Sequence, residues 1–141
     1  VILVLIAIPF LYELLTFDPR HQEPAIDLPQ TNEELEAEAT SLLEQGDAAN
    51  GDALIEKHGC YACHRIGVQN GIAPPFVSIA ETAAERHPPL TAPAYILESI
   101  LYPMAHVVEN FDPAMPQNYA EVLTQQELAD LLAYLTSPDA Q

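Results

Sequence analysis

The chain has 141 residues, with 21 Asp+Glu against 4 Lys+Arg and a formal net charge of −17. That balance excludes a nucleic-acid binder, because neutralising phosphates needs a basic surface. Two cysteines exclude a disulfide-dense scaffold, and the length suits one ordinary domain with an appendage. Half the residues are apolar, which excludes a wholly disordered acidic protein.

Hydrophobicity is concentrated at the start. Residues 1–17 read VILVLIAIPFLYELLTF, with Glu13 as the one charge. A membrane-crossing helix needs ~20 apolar residues. The run begins at Val1 without an initiator Met, so the full span is expected to be longer than shown. Pro9 is tolerable in such a helix, and Tyr12 and Phe17 suit the membrane–water interface. No small-residue cleavage site follows, so the expectation is an uncleaved anchor in the lipid bilayer, with Glu13 at the interface.

Residues 18–48 read as a spacer. Pro19, Pro24 and Pro29 favour an extended chain. Thr31-Asn32-Glu33-Glu34 then fits a capping box, and Leu35, Ala39, Leu42 and Leu43 follow at helical spacing among Glu36, Glu38 and Glu44. One amphipathic helix ending near Gly46 is predicted. Its partner, the following domain or a neighbouring protein, is not fixed by the pattern.

Cys60-Tyr61-Ala62-Cys63-His64 is a CxxCH motif and uses both cysteines. Two thioether bonds must reach two vinyl groups on one edge of a porphyrin. Residues i and i+3 on a helical turn project from the same side, and the adjoining histidine faces the iron. The pattern marks covalent attachment of one haem c. A structural zinc site needs four ligands, and no second pair exists. Thioredoxin-like chemistry wants a βαβ setting that the flanks lack. A plain disulfide leaves His64 unexplained.

The sixth iron ligand has several candidates. His58 is too close to Cys60 to reach the opposite haem face. His21 lies in the spacer, and His87 precedes Pro88-Pro89 in an expected surface loop. Met104 follows Pro103 at a helix end and suits core packing, and His106 lies just beyond it. Met115 stands in the proline-pinned segment Phe111-Asp112-Pro113-Ala114-Met115-Pro116, which holds a weak thioether ligand at low entropic cost. Met115 is preferred. His/Met ligation raises the reduction potential, which suits an electron carrier. Lys57, Arg65 and Arg86 are the candidate partners for the haem carboxylates.

Residues 51–135 resemble a class I monohaem cytochrome c domain. In that family a helix leads into CxxCH, as Gly51-Asp52-Ala53-Leu54-Ile55-Glu56-Lys57 does here. The methionine loop precedes a C-terminal helix, as Met115-Pro116 precedes Thr124-Gln125-Gln126-Glu127, a second capping box, and the stripe Leu128, Leu131, Leu132, Leu135. The resemblance implies an all-α cytochrome c fold over residues 49–138, preceded by one transmembrane helix. It also implies that Leu54 and Ile55 cross Leu131 and Tyr134, and that Pro74 offers its carbonyl to His64. With about 90 residues, the protein core alone is marginal, so a haem-free chain is expected to fold poorly.

Tyr95-Ile96-Leu97-Glu98-Ser99-Ile100, Pro103, Val107-Val108, Phe111 and Met115-Pro116 are similar to two groups. One is the cytochrome c domain fused to subunit II of haem–copper oxidases. The other is the monohaem cytochrome c subunit of alternative complex III, a quinol-oxidising complex. The length has no room for the oxidase subunit's cupredoxin domain, which favours the second. The cytochrome subunit of nitric oxide reductase is a further possibility by architecture. Resemblance thus implies an electron-transfer subunit rather than an enzyme. Its expected partners are other subunits of a membrane redox complex and a soluble electron carrier. The haem domain is expected on the periplasmic side of the cytoplasmic membrane, where such haem attachment occurs. The competing class is a haem peroxidase or gas sensor, in which Met115 is labile.

Overall fold

A computed structural model describes Ile26 and residues 28–64 and 72–140. The run of residues 1–17, Arg20, His21 and Arg65 lie outside the described residues, and with them the expected anchor and most of the proline-rich spacer. Among the described residues no helix is long and apolar enough to cross a membrane.

Every regular element described is helical. Helix α1 spans Asn32–Gln45. It starts where the pattern predicts: the Thr31 hydroxyl accepts the Glu34 N–H at 3.2 Å, and the Glu34 carboxylate accepts the Thr31 N–H at 3.1 Å. These bonds satisfy donors that a helix start leaves free. Its buried residues, Leu35, Ala39 and Leu42, form one face. After Gly46, Asp47 caps α2, Ala48–Lys57. A single turn, α3, covers Tyr61–His64. Helix α4 is Ile79–Arg86. Helix α5 is Ala92–Leu101, begun by the Thr91 hydroxyl and a proline in its first turn. A short α6, Tyr119–Val122, leads to α7, Gln125–Leu135, which carries the second capping box in full.

Three packings organise these helices. α2 crosses α7, α1 lies on α5 and α7, and α4 packs on α5. The crossing of α2 and α7 depends on Gly51, where a Cβ would lie 2.0 Å from Cβ of Tyr134. Ile55, Leu131 and Tyr134 are buried at this crossing and Leu54 packs against it. Asp130, 5% exposed on α7, ties the pair together. Its carboxylate accepts the Asp47 N–H at 2.8 Å, the Asn50 side-chain amide at 3.0 Å and the Gln126 amide at 2.8 Å. Burial pushes this carboxyl up, but the bonds from Asp47, Gln126 and Asn50 outweigh burial and hold it below its ordinary value.

Helix α1 therefore packs on the domain that follows it. Leu42 is fully buried with Leu97 of α5 and Leu128 and Leu132 of α7 in one core. The Glu36 carboxylate accepts from the Thr91 N–H and hydroxyl at 2.7 and 2.6 Å, and Gln125 donates to Glu38 at 2.9 Å. The last residues of the spacer are also held, since the Tyr102 hydroxyl donates to the Pro29 carbonyl at 2.8 Å.

Candidate functional site

The CxxCH turn follows α2 through Gly59, whose φ of +72° lies in the left-handed region that glycine adopts without penalty. The chain reverses there, and the Cys60 N–H donates to the Ile55 carbonyl at 2.9 Å. Within α3 the Cys63 and His64 N–H groups return to the Cys60 carbonyl at 3.2 and 3.0 Å. This turn sets Cys60 and Cys63 on one side of the helix. No disulfide joins them. Burial pushes the Cys60 thiol above its ordinary value, the opposite of a redox CxxC pair, whose attacking thiol is lowered.

His64 is held on two sides. Its Nδ1–H donates to the Pro74 carbonyl at 2.7 Å, which assigns the tautomer and leaves Nε2 as the free lone pair. Its ring stacks on Phe76 at 4.5 Å with 4° between planes, and the Phe76 N–H closes a 3.1 Å bond to the His64 carbonyl. Burial lowers the imidazole from its ordinary value, against the opposing pull of the Pro74 bond, and the Arg86 charge lowers it further. The ring is thus kept neutral, the form that ligates metal.

His64, Cys60 and Cys63 line one cavity of about 360 Å³, within the range of cofactor sites, about 300–1,000 Å³. Its walls are dominated by apolar side chains, among them Ile55, Phe76, Ile96 and Leu131. Met115 and Met104 both line it. Met104 does not pack in the core, as its helix-end position predicts, but is 39% exposed. The helix ends at Leu101 and the chain turns outward after Pro103, which carries Met104 to the rim. His58 also lines the cavity, with Nε2 3.4 Å from a Glu127 oxygen.

His87 lies in the loop between α4 and α5, as its neighbouring prolines predict, but its side chain is engaged there. Its ring stacks on His106 at 4.4 Å, and its Nδ1–H donates to buried Glu98 at 2.7 Å. His106 itself lines the cavity. Of the described cations, Arg86 is on the cavity wall, whereas Lys57 donates to Glu127 at 2.5 Å.

The residues fit a haem. Two thiols at attachment spacing, an oriented imidazole and an apolar cavity answer to its vinyl groups, its iron and its macrocycle. One buried polar atom is left over: the Ser99 hydroxyl, on the cavity wall, has no hydrogen-bond partner among the described residues. An apolar macrocycle with a polar edge accounts for such an atom in such a wall. Sequence reasoning passed over Ser99, Phe76 and the His87–His106 stack. Only Phe76 carried a local signal, its place two residues after Pro74.

The family model described as Cytochrome c matches residues 48–138. Neither the curated proteins nor the solved structures contain a match to the chain.

Proposed function

Because the chain belongs to the cytochrome c family, and so carries covalent haem c, we propose that it is a membrane-anchored electron-transfer subunit of a quinol-oxidising complex of the alternative complex III type. It hands single electrons to an acceptor on the periplasmic side. Haem attached to the chain supplies a one-electron iron couple. The residues of the chain supply the rest. Cys60 and Cys63 would hold the haem through thioether bonds, and His64 would bind its iron through Nε2. The Pro74 carbonyl orients the His64 ring and raises its basicity. Met115, on the cavity wall, would be the second protein ligand to the iron, its thioether kept in place by the proline-pinned loop against competing ligands.

The oriented His64, facing a cavity that Met115 also lines, is the observation that carries this reading. Membrane anchoring is supported by the apolar residues 1–17, and the choice of complex by the similarity of residues 95–119. Ligation is tested on the purified holoprotein: Met115→Ala is expected to bind carbon monoxide at neutral pH and to lower the reduction potential. Carbon monoxide binding by the unaltered protein without denaturation would instead establish the peroxidase or sensor reading. The host complex is tested by extracting native membranes in mild detergent and identifying what co-migrates with the c-type haem. Iron–sulfur, multihaem and polytopic quinol-binding subunits are expected. Haem–copper oxidase or nitric oxide reductase subunits would reverse the direction of electron flow.

A further inference from the structure

The end of the spacer is clamped to the helical domain at one place. Ile26 and Pro29 are buried, and Leu28 between them is exposed. The Tyr102 hydroxyl donates to the Pro29 carbonyl at 2.8 Å and accepts from the Gln30 side-chain amide at 2.8 Å. The same amide donates to the Leu28 carbonyl at 2.9 Å. From there α1 runs antiparallel to α5. Pro29 meets Tyr102 just past the end of α5, and Glu36 meets Thr91 at its start. Bonds from Gln125 to Glu38 and from Gln126 to the Gln45 carbonyl pin the remainder of α1 to α7. The root of the spacer is thus fixed at the C-terminal end of α5.

The rim of the cavity begins at the same end. Pro103, Met104 and Val107 line the cavity, and Met104 and Val107 are exposed. Leu28, Met104 and Val107, three of the large apolar side chains exposed among the described residues, are therefore brought to one end of the domain. Residues 28–32 and 99–108 contain no Asp, Glu, Lys or Arg, in a chain with 21 acidic residues. An uncharged apolar patch on so acidic a surface has the composition of an interface core.

We propose that this end, with Leu28, Met104 and Val107, is the face that the domain presents to a membrane-embedded protein subunit, and that the Tyr102 clamp and α1 hold it in that direction. The inference rests on the anchor proposed above. Only residues 18–25 separate Phe17, the end of the apolar run, from buried Ile26. At ~3.3–3.6 Å per residue, the root stands no more than about 30 Å from the end of that run. The rim starts where the root is clamped, so the rim is kept near the bilayer and does not swing out into solution. A lipid surface suits this end poorly. Headgroup binding draws on Lys and Arg, neither stretch has one, and a net charge of −17 opposes an anionic bilayer. An uncharged apolar patch on a polytopic protein has no such requirement, and it is the occupant.

The test uses the full-length holoprotein in its native membranes. A photoreactive benzoylphenylalanine replaces Leu28, Val107 or, as a control, Val77, which is exposed elsewhere beside Pro138. Haem attachment is read from the c-type spectrum, and captured species are identified by mass spectrometry. Leu28 and Val107 are expected to capture the same polytopic protein, and Val77 is expected to capture none. Capture of lipid alone, or of nothing, by a chain retained in the membrane would overturn the inference and leave the anchor standing. So would equal capture at Val77. Recovery of the chain in the soluble fraction would overturn the anchor and the inference together. Capture of a haem–copper oxidase subunit would change the host complex and still support this face. Tyr102→Phe removes the hydroxyl of the clamp and keeps its ring. It is expected to lower capture at Leu28 several-fold with the haem spectrum and reduction potential unchanged, and undiminished capture would overturn the clamp. Should the Val107 variant fail to hold haem, Leu28, which is outside the cavity wall, decides.

Discussion

At the scale of single residues, the Glu127 carboxylate gathers three partners, as many as Asp130. It closes the α7 capping box through the Thr124 N–H at 3.1 Å and pairs with Lys57 at 2.5 Å across the α2–α7 crossing. Burial pushes it up, but the bonds from Lys57, Thr124 and His58 outweigh burial and hold it down to about 2, against an ordinary 4.5. The folded value lies below the unfolded one. Its stabilisation is therefore complete above about 4.5 and is lost as pH falls toward about 2. Glu127→Gln keeps a capping side chain but removes the charge. Denaturant unfolding from pH 7 to 2 is expected to show a gap between the two holoproteins at neutral pH that closes through this window. A constant gap would mean that Glu127 acts by packing alone. Both capping boxes are legible in the sequence, because the cap and its N3 partner are three residues apart. The Lys57–Glu127 pair is not, since 70 residues separate its members.

At the scale of elements, two crossings hold the domain. Gly51 permits the first, because any side chain there meets Tyr134. Gly51→Ala is expected to cost roughly 1–3 kcal/mol, the range for overpacking a tight interface. Leu42→Ala, at the centre of the second, is expected to cost roughly 2–5 kcal/mol, as for other fully buried leucines. Thermal melts of the holoprotein check both, and a change below 0.5 kcal/mol in either, on the scale of surface substitutions, would mean that its crossing is loose. The two differ in legibility. Leu42 stands in an apolar stripe of period 3.6 and is readable as buried. Gly51 reads locally as an ordinary helix residue, and only the opposing α7 gives it a role. The same division runs through the site. CxxCH is a local pattern, and the proline whose carbonyl meets His64 is reached through the family resemblance. The burial of Glu98, the orphaned Ser99 hydroxyl and the His87–His106 stack arise from α4, α5 and the following loop meeting in space. No spacing along the chain encodes them.

At the scale of the whole molecule, charge and cavity dominate. A net charge of −17 gives the chain a long-range negative field. Electron transfer to a basic soluble partner is expected to slow as ionic strength rises from low values, as the screening length shrinks to about 10 Å at 0.1 M. Stopped-flow rates over a salt series test this, and a flat series would leave the charge a role in solubility alone. The cavity of about 360 Å³ between α2, α5 and α7 sits where a core would otherwise be. Filling it with haem adds apolar contacts that the protein cannot make with itself. Chain expressed without haem attachment is expected to melt broadly and to lose helical circular dichroism. A sharp transition at the holoprotein's temperature would show that the helices suffice.

Helix α1 also bears on the direction of electron traffic. It covers the outer side of α5 and α7, and none of its residues lines the cavity. A partner settling on its carboxylate-rich outer face would stand off from the haem by a further helix diameter, about 10 Å. Tunnelling decays exponentially with distance, so an encounter on that flank is kinetically silent even when it is electrostatically favoured. The exposed Met104 and Val107 flank the open rim instead, and contacts there bring donor and acceptor close. By thickening one side, α1 insulates that flank and, among the described residues, favours encounters at the rim.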